Sequence, residues 1–272
     1  MGISIDLDKC TRDALCALAC PAQIITLTGE NGAPAPVEGF EEMCIACGHC
    51  LAVCPTGALS WKGIGPAQCA PLEGELSSPD QLTRLIKGRR SIRRYQDQPL
   101  EPSTIERLLE LARYAPSGHN AQPVHWLVIS GREQLDGLSA IVVDWMRYMI
   151  KEDPEVAEPM HFDRAVAAWE AGKDRILRGA PHLVLAYAEK ANPFAPAACT
   201  IALTYLELAA SGLGLGACWA GYLNRASNLF PPMQKALDLP EGMVSFGSLM
   251  LGVPAFGYQR VPPRTSVRVT WR

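Results

Sequence analysis

Charged residues and long apolar runs are both scarce in this chain of 272 residues. Asp, Glu, Lys and Arg make up 19% of it, whereas hydrophobic residues make up 48%. This apolar share supports a sizeable core and excludes an intrinsically disordered chain. No apolar run approaches the roughly 18 residues of a membrane-spanning helix, so we expect no membrane partner. The first ten residues lack the apolar segment of a signal peptide, and we therefore expect a cytoplasmic protein.

Excess charge of either sign is also missing. The net charge is −3 and the isoelectric point is near 6.0, so the chain has no general attraction to nucleic acid. Cysteine, by contrast, is abundant: there are ten, and seven of them lie between residues 10 and 54. Without a secretion signal, such a dense group indicates metal binding rather than a disulfide framework. The other three, Cys69, Cys199 and Cys218, are scattered.

The cysteine group contains an internal repeat. Its second half has the spacing C-x2-C-x2-C-x3-C-P, formed by Cys44, Cys47, Cys50, Cys54 and Pro55. In this spacing three thiolates bind one iron–sulfur cube and the fourth binds another, so a partner motif is expected. A shift of 34 residues finds that motif, because the matching positions are Cys10, Asp13, Cys16, Cys20 and Pro21. Asp13 is the one departure, since it replaces a cysteine.

Residues 1 to about 65 therefore resemble a two-cluster bacterial ferredoxin. The resemblance assigns one 4Fe–4S cluster to Cys20, Cys44, Cys47 and Cys50, and the other cluster to Cys10, Asp13, Cys16 and Cys54. Some similar ferredoxins use the aspartate oxygen as a ligand or carry three irons, so the second cluster is expected to be 4Fe–4S or 3Fe–4S. We expect His49 to lie outside both ligand sets. Zinc is disfavoured because its sites need two well-separated ligand pairs.

A stretch rich in Pro, Gly and Ser at residues 66–79 indicates a linker. We therefore expect one domain over residues 1–75 and another over residues 76–272. A helix is expected to begin at Pro79 with Ser78 as its N-cap and to end at Gly88. The sequence RRSIRRY follows, with four arginines in six residues. Guanidinium groups bind phosphate oxygens bidentately, so this stretch indicates a phosphate site. Taken alone, a solvated basic turn is the simpler interpretation.

The order of the next motifs favours the phosphate site. A second helix over residues 102–114 leads into the loop APSGHNAQP and an apolar strand over residues 124–129. Together with RRSIR, these motifs resemble the FMN-dependent nitroreductase family over about residues 80–272. The same family resemblance extends to a buried helix over residues 195–211 and to the sequence GLGLGACWAGY that follows it. Because the helix precedes these glycines, a Rossmann dinucleotide site is excluded.

The resemblance implies an α+β protein, with a ferredoxin-like domain followed by a nitroreductase-type α/β domain that binds FMN. The expected contacts to the FMN phosphate and to the N1/O2 edge of its ring come from Arg89, Arg90, Ser91 and Arg93, with Arg93 at the ring. Arg264, and less directly Arg260, would close on the phosphate from the tail, where residues 267–271 resemble the family's last strand. The other subunit of a homodimer would contribute Pro116, Ser117, Gly118 and Asn120. Backbone donors near N5 and O4 would come from Cys218, Trp219, Ala220 and Gly221.

The fusion implies electron relay. Iron–sulfur clusters carry single electrons and a flavin holds one or two, so the clusters are expected to pass electrons from an external ferredoxin or NAD(P)H to FMN. FMN would then reduce a nitroaromatic, quinone or similar small electrophile, without a catalytic side chain. Two other interpretations stay open: a flavin ene-reductase or dehalogenase of narrow specificity, and a non-catalytic electron carrier or redox sensor. The variable region at residues 140–180 is expected to shape the substrate pocket.

Overall fold

The computed structural model describes residues 2–72, 74, 75 and 77–272, and the chain forms two compact units. The first unit comprises Met1–Leu76 together with His119–Ala121, and the second comprises Ser77–Gly118 with Gln122–Arg272. The linker expectation falls near this division, although residues 73 and 76 lie outside the described residues. In the described part of the chain, no helix combines the length and the apolar character that crossing a membrane requires.

The first unit is built from short elements around a small core. Its elements are β1 (Ile3–Ile5), α1 (Leu15–Ala19), β2 (Ile25–Thr28), β3 (Ala33–Pro36), α2 (Phe40–Met43), α3 (His49–Val53) and β4 (Leu59–Trp61). Strand β1 pairs with β4 and β2 pairs with β3, both antiparallel. The core residues include Ile3, Ile24, Ile25 and Leu59, and the side chains of several cysteines pack against them.

The second unit begins with helices and is centred on one sheet. Its elements are α4 (Pro79–Gly88), α5 (Pro102–Ala112), β5 (His125–Ser130), α6 (Arg132–Glu152), α7 (Pro154–Ala157), α8 (Phe162–Glu170), β6 (His182–Glu189), α9 (Ala195–Gly212), β7 (Gly216–Trp219), α10 (Gly221–Leu229), α11 (Pro231–Leu237) and β8 (Met243–Gly252). The expected N-terminus of α4 is confirmed. Ser78 Oγ accepts from Gln81 N at 3.2 Å, and Gln81 Oε1 accepts from Ser78 N at 2.9 Å, which forms a capping box.

The sheet has the order β5-β6-β8-β7 and every pairing is antiparallel. Strand β6 is buried on both faces, which explains its nearly continuous apolar sequence. Leu183 and Leu185 join one core cluster with α6, α8, α10 and α11, whereas Val184 and Ala186 join another with α5 and α9. The sheet therefore lies between two helical layers, and the expected α+β class is confirmed.

The C-terminal tail differs from expectation. Strand β8 ends at Gly252, and no described residue after it belongs to a strand. Residues 267–271, which resemble a last strand, are exposed and unpaired. A strand needs an edge to pair with, and the sheet of the same chain does not supply one to this segment.

A buried histidine joins the first strands of the sheet to the linker before α5. His182 Nε2 accepts from Leu100 N at 2.7 Å, so Nδ1 carries the proton and donates to Ser130 Oγ at 2.6 Å. Burial lowers the pKa of His182 below its ordinary value of 6.5. The folded chain therefore holds this imidazole neutral.

We predict that the free energy of unfolding falls as the pH drops below 6.5. The unfolded chain then binds a proton at His182 that the folded chain rejects, which costs at most about 1.4 kcal/mol per pH unit. Urea unfolding of the full chain at pH 7.5 and 5.5, followed by circular dichroism, measures this. His182→Gln should flatten the pH dependence, whereas the exposed-site control His161→Asn should keep it. An unchanged pH dependence in His182→Gln would assign the effect to other groups.

Candidate functional site

The 34-residue repeat is present in the backbone of the first unit. When the sequence is shifted by 34 residues, the positions of helix α1 match those of α3. The residues with left-handed backbone conformation also match. The pairs are Arg12 and Ala46 (φ 57° and 53°), Ala14 and Gly48 (63° and 72°), and Gln23 and Gly57 (53° and 64°). Because non-glycine residues seldom adopt positive φ, these matches show that one loop geometry is built twice.

The cysteines of the complete motif surround one cavity. Cys20, Cys44, Cys47 and Cys50 line a volume of about 790 Å³, which Cys54 also borders. Burial raises the pKa of Cys50 to about 11, so it stays a thiol until a metal displaces its proton. Four soft sulfur donors around such a volume fit a 4Fe–4S cube, and Cys20 comes from the other half of the repeat, as that cube requires.

The second set of residues surrounds a much narrower space of about 10 Å³, which is lined by Cys10, Asp13, Cys16 and Cys54. Cys54 Sγ accepts from Ala58 N at 3.2 Å, and Cys10 Sγ accepts from Arg12 N at 3.4 Å. Donors of this kind stabilise thiolates. The structure thus gathers both sets of expected ligands, and Cys54 borders both spaces. Three thiols and a carboxylate suit iron by the chemistry of their donor atoms, although the space between them is smaller than a cluster.

Asp13 is held by its neighbours at the start of α1. Its Oδ1 accepts from Leu15 N at 3.0 Å, and its Oδ2 accepts from Thr11 Oγ1 at 2.9 Å. Each oxygen retains a further lone pair, so these two hydrogen bonds do not use up its capacity to bind iron. His49 Nδ1 lies 3.4 Å from Cys47 O, a contact to the motif backbone that fits its expected place outside the ligand sets. In the described part of the chain, no three His, Cys, Asp or Glu side chains converge on a single metal ion.

The arginine segment of the second unit lies against β7. Ile92 N donates to Ala217 O at 3.0 Å, and a Cβ at Gly216 would stand only 2.7 Å from Ile92. Glycine is therefore required at 216. This contact places Arg89 and Arg90 on the lining of a cavity of about 490 Å³. Two guanidinium groups at one cavity fit a phosphate group.

Glu207 is a member of this site that the sequence analysis missed. Its carboxylate pairs with Arg89 Nη1 at 2.9 Å, and both side chains are largely buried. Burial raises the pKa of Glu207, and the attraction of Arg89 opposes that rise only in part. The lone acid in the otherwise apolar α9 was the signal that could have found it. Arg89 is therefore already neutralised, whereas Arg90 has no acidic partner among the residues that the structure describes.

The residues expected near the ring lie along β7 and just after it. Burial raises the pKa of the Cys218 thiol, and Arg93 and Arg178 oppose the rise by their charge. Ala220 N donates to Ser248 O at 3.0 Å, so this N–H is engaged within the chain. The side chain of Trp219 packs against the second core cluster. The N–H of Ala220, one of the four expected backbone donors, is thus not available to a ligand.

The loop after α5 has a strained backbone. His119, Asn120 and Gln122 have φ values of 52°, 53° and 45°. Ser117 Oγ accepts from Gln122 N at 2.9 Å, and a Cβ at Gly118 would stand 2.4 Å from Phe194, so only glycine fits there. Such strain is typical of functional segments.

Two groups of expected contact residues lie elsewhere. Asn120 groups with the first unit, where its amide donates to Ile45 O at 3.3 Å and Ala46 O at 3.0 Å. Pro116 is exposed, as are Arg260 and Arg264 in the tail. Of the expected phosphate contacts, Arg89 and Arg90 line the cavity beside β7, whereas Ser91, Arg260 and Arg264 are absent from its lining.

The matches to family models divide the chain in the same way. Residues 86–254 match the nitroreductase family, and residues 2–55 match the 4Fe-4S dicluster domain. A Methanothermobacter thermautotrophicus protein called "Putative NADH dehydrogenase/NAD(P)H nitroreductase" is 30% identical, over 68% of this chain and 82% of the relative. An iodotyrosine deiodinase of Thermotoga neapolitana is 31% identical, over 50% of this chain and 70% of the relative.

Solved structures agree on the fold of the second unit. A nitroreductase of Bacteroides fragilis, solved with bound FMN, aligns with a TM-score of 0.56 and 22% identity. The alignment covers 70% of this chain and 99% of that one.

We predict that Asp13 sets the stability of one cluster. Oxygen is a harder and weaker ligand for this iron than thiolate, so the Asp13 cluster should lose one iron first. Mild oxidation of the anaerobic protein should then give a three-iron signal in electron paramagnetic resonance from one cluster only. Asp13→Cys should abolish the signal, whereas Asp8→Asn, in the loop before Cys10, should leave it. A signal of the same size in Asp13→Cys would show that position 13 does not decide the fate of the cluster.

Proposed function

Because the chain belongs to the nitroreductase family and carries a 4Fe-4S dicluster domain before it, we propose that it couples iron–sulfur electron relay to an FMN-dependent reduction. Its two domains extend over residues 1–75 and 76–272 in this proposal. Electrons from an external donor reach the clusters singly, pass to FMN and leave in pairs for a nitroaromatic, quinone or similar electrophile. The observation that supports the proposal is that seven cysteines and Asp13 line two spaces on a chain that also matches the nitroreductase family.

FMN supplies the redox chemistry when it is bound, and the chain supplies position and charge. Arg90, with Arg89 screened by Glu207, would hold the phosphate at the cavity beside β7, and Ser91, which follows Arg90 in the chain, is proposed to assist them. Arg93 would place a positive charge at the N1/O2 edge of the ring. The backbone of the edge strand β7 would orient the opposite edge of the ring, with the buried Cys218 side chain contributing no contact.

The residues that are proposed to hold FMN do not distinguish one electron acceptor from another. The similarity to an iodotyrosine deiodinase favours a dehalogenase as the second candidate function, because that relative matches half of this chain. An electron carrier without turnover remains the third candidate. A panel of nitroaromatic, quinone and halophenol acceptors, each given to the anaerobically reduced protein, separates the three by which acceptor reoxidises the flavin.

We predict that the relay fails when the complete motif is broken. Cys47→Ala should still bind FMN, and dithionite should still reduce that FMN. Stopped-flow absorbance should show its reduction by reduced ferredoxin, or by NAD(P)H if that is the donor, falling to the background rate. Cys199→Ala, a buried cysteine of α9 outside both ligand sets, should behave as the parent protein. Equal donor-driven rates in Cys47→Ala and the parent would contradict the relay.

We also propose a homodimer, because the second unit leaves apolar surfaces uncovered. On α4, Leu82 and Ile86 are 50% and 55% exposed, and in the tail Val267 and Trp271 are 88% and 87% exposed. The tail alternates apolar and polar residues, as a strand does that pairs on one edge and packs on one face. A second copy would cover these surfaces.

Sedimentation equilibrium of the FMN-loaded protein should therefore give a mass of two chains, with an interface of about 2,000–5,000 Å². Deleting residues 266–272 should weaken the dimer, whereas Lys62→Gln, an exposed site in the first unit, should not. A flavin-loaded species with the mass of one chain would contradict the proposal.

A further inference from the structure

Glu207 is a charged side chain in apolar surroundings. It is the single charged residue in the sequence of α9, and that helix packs against α5 and against strands β6 and β8. The residue is only 8% exposed. An ionised carboxylate in such a place needs a partner of opposite charge, because its removal from water is costly. The chain supplies that partner from 118 positions away.

The partner is Arg89, in the segment that follows α4. Its Nη1 donates to Glu207 Oε1 at 2.9 Å, and the Arg89 side chain is itself largely buried. Among the residues that the structure describes, Glu207 forms no other ion pair and no other side-chain hydrogen bond. Burial raises the pKa of Glu207, and the attraction of Arg89 opposes that rise. The carboxylate therefore stays ionised because Arg89 lies beside it.

Both members of the pair line the cavity of about 490 Å³ beside β7. The other charged or titratable groups on this lining are Arg90, before β7 in the chain, and Tyr258, in the segment after β8. Arg90 lies over the ring of Tyr258, at 5.8 Å from its centroid. Helices α4 and α5 and the strands of the sheet, all within the described residues, place no charged side chain on the lining. Cys218 and Tyr95 lie within electrostatic reach of Glu207, and burial raises the pKa of each, so both are neutral.

A phosphate in this cavity would compete with Glu207 for Arg89. A phosphate monoester carries a charge of about −2 above pH 7, which the two arginines of the lining together balance. The Glu207 carboxylate would then have lost its counter-charge and would face a second anion. A buried acid in that position is relieved when it takes up a proton. As a carboxylic acid it donates a hydrogen bond, for which a phosphate oxygen is an acceptor.

We propose that Glu207 takes up one proton when the FMN phosphate binds, and that it serves the phosphate site as a neutral hydrogen-bond donor. The inference rests on the proposed function, since it requires the phosphate at this cavity. The proton comes from solvent and returns to solvent when FMN leaves, and no electron is transferred. Binding that takes up a proton weakens as the pH rises, so the affinity for FMN depends on pH through Glu207.

The test is calorimetric titration of the full-length, cluster-loaded protein with FMN between pH 6.5 and 8.5, in buffers of different ionisation enthalpy. These buffers reveal how many protons are taken up. At pH 8.5 the parent protein should take up about one proton more than Glu207→Gln, whose amide imitates the neutral acid. The dissociation constant of the parent should rise with pH by up to about tenfold more per unit than that of the variant. The ionisation of the phosphate itself is common to both proteins and cancels in the comparison.

Glu170→Gln is the matched control, because it removes an acid from an exposed ion pair, with Arg147 at 3.0 Å. This variant should follow the parent in both proton uptake and pH dependence. Riboflavin, which lacks the phosphate, should bind without the additional proton in every variant.

Three outcomes would overturn the inference. The first is equal proton uptake and equal pH dependence in the parent and Glu207→Gln, since Glu207 would then remain an ionised partner of Arg89. The second is the absence of proton uptake by the parent at pH 8.5, which decides the question even if Glu207→Gln does not fold. The third is the same uptake with riboflavin, which would couple the proton to the ring. Failure of the parent to bind FMN would contradict the proposed function instead, so the two failures are distinguishable.

Discussion

The flavin-type site depends on one close approach between two backbones. Ile92 N donates to Ala217 O, and this bond can form because Gly216 has no Cβ to collide with Ile92. The bond fixes the middle of the arginine segment to the edge strand β7. Residues before it, Arg89 and Arg90, then line the cavity beside α9. Arg93, after it, is absent from the lining of that cavity. One hydrogen bond therefore holds the two arginines that suit a phosphate against the edge strand.

The first unit contains the same loop twice, but the two copies differ in their side chains. The matching left-handed residues show that the loop geometry is shared. The side chains are not, since Asp13 stands where the other copy has Cys47, and its carboxylate is bonded to Thr11 and Leu15. Around Cys54, hydrogen bonds from Ala58 and Thr56 outweigh the effect of burial and lower the pKa of the thiol. Unequal surroundings of this kind give two clusters different properties on one scaffold.

Much of this arrangement could be predicted from the sequence, because it depends on local patterns. The cysteine spacing predicted two groups of residues that line two spaces in the structure, although their binding of iron stays a prediction. Ser78 with Pro79 predicted the start of α4. The sequence could not reveal contacts between residues that are distant in the chain. Glu207 meets Arg89 across 118 positions of the chain, and no local pattern predicts that pairing. Residues 267–271 have the pattern of a strand, but they are unpaired in the structure. An alternating pattern predicts a strand without showing which sheet edge, in which copy of the chain, the strand pairs with.

The central claim is that one chain joins two iron–sulfur clusters to one flavin, and cofactor stoichiometry tests it most directly. Iron, acid-labile sulfide and flavin can be counted per chain after anaerobic purification. The account predicts one FMN and about eight irons with two 4Fe–4S clusters, or about seven if the Asp13 cluster has three irons. Zinc in place of iron, a single cluster per chain, or full iron without any flavin would contradict it.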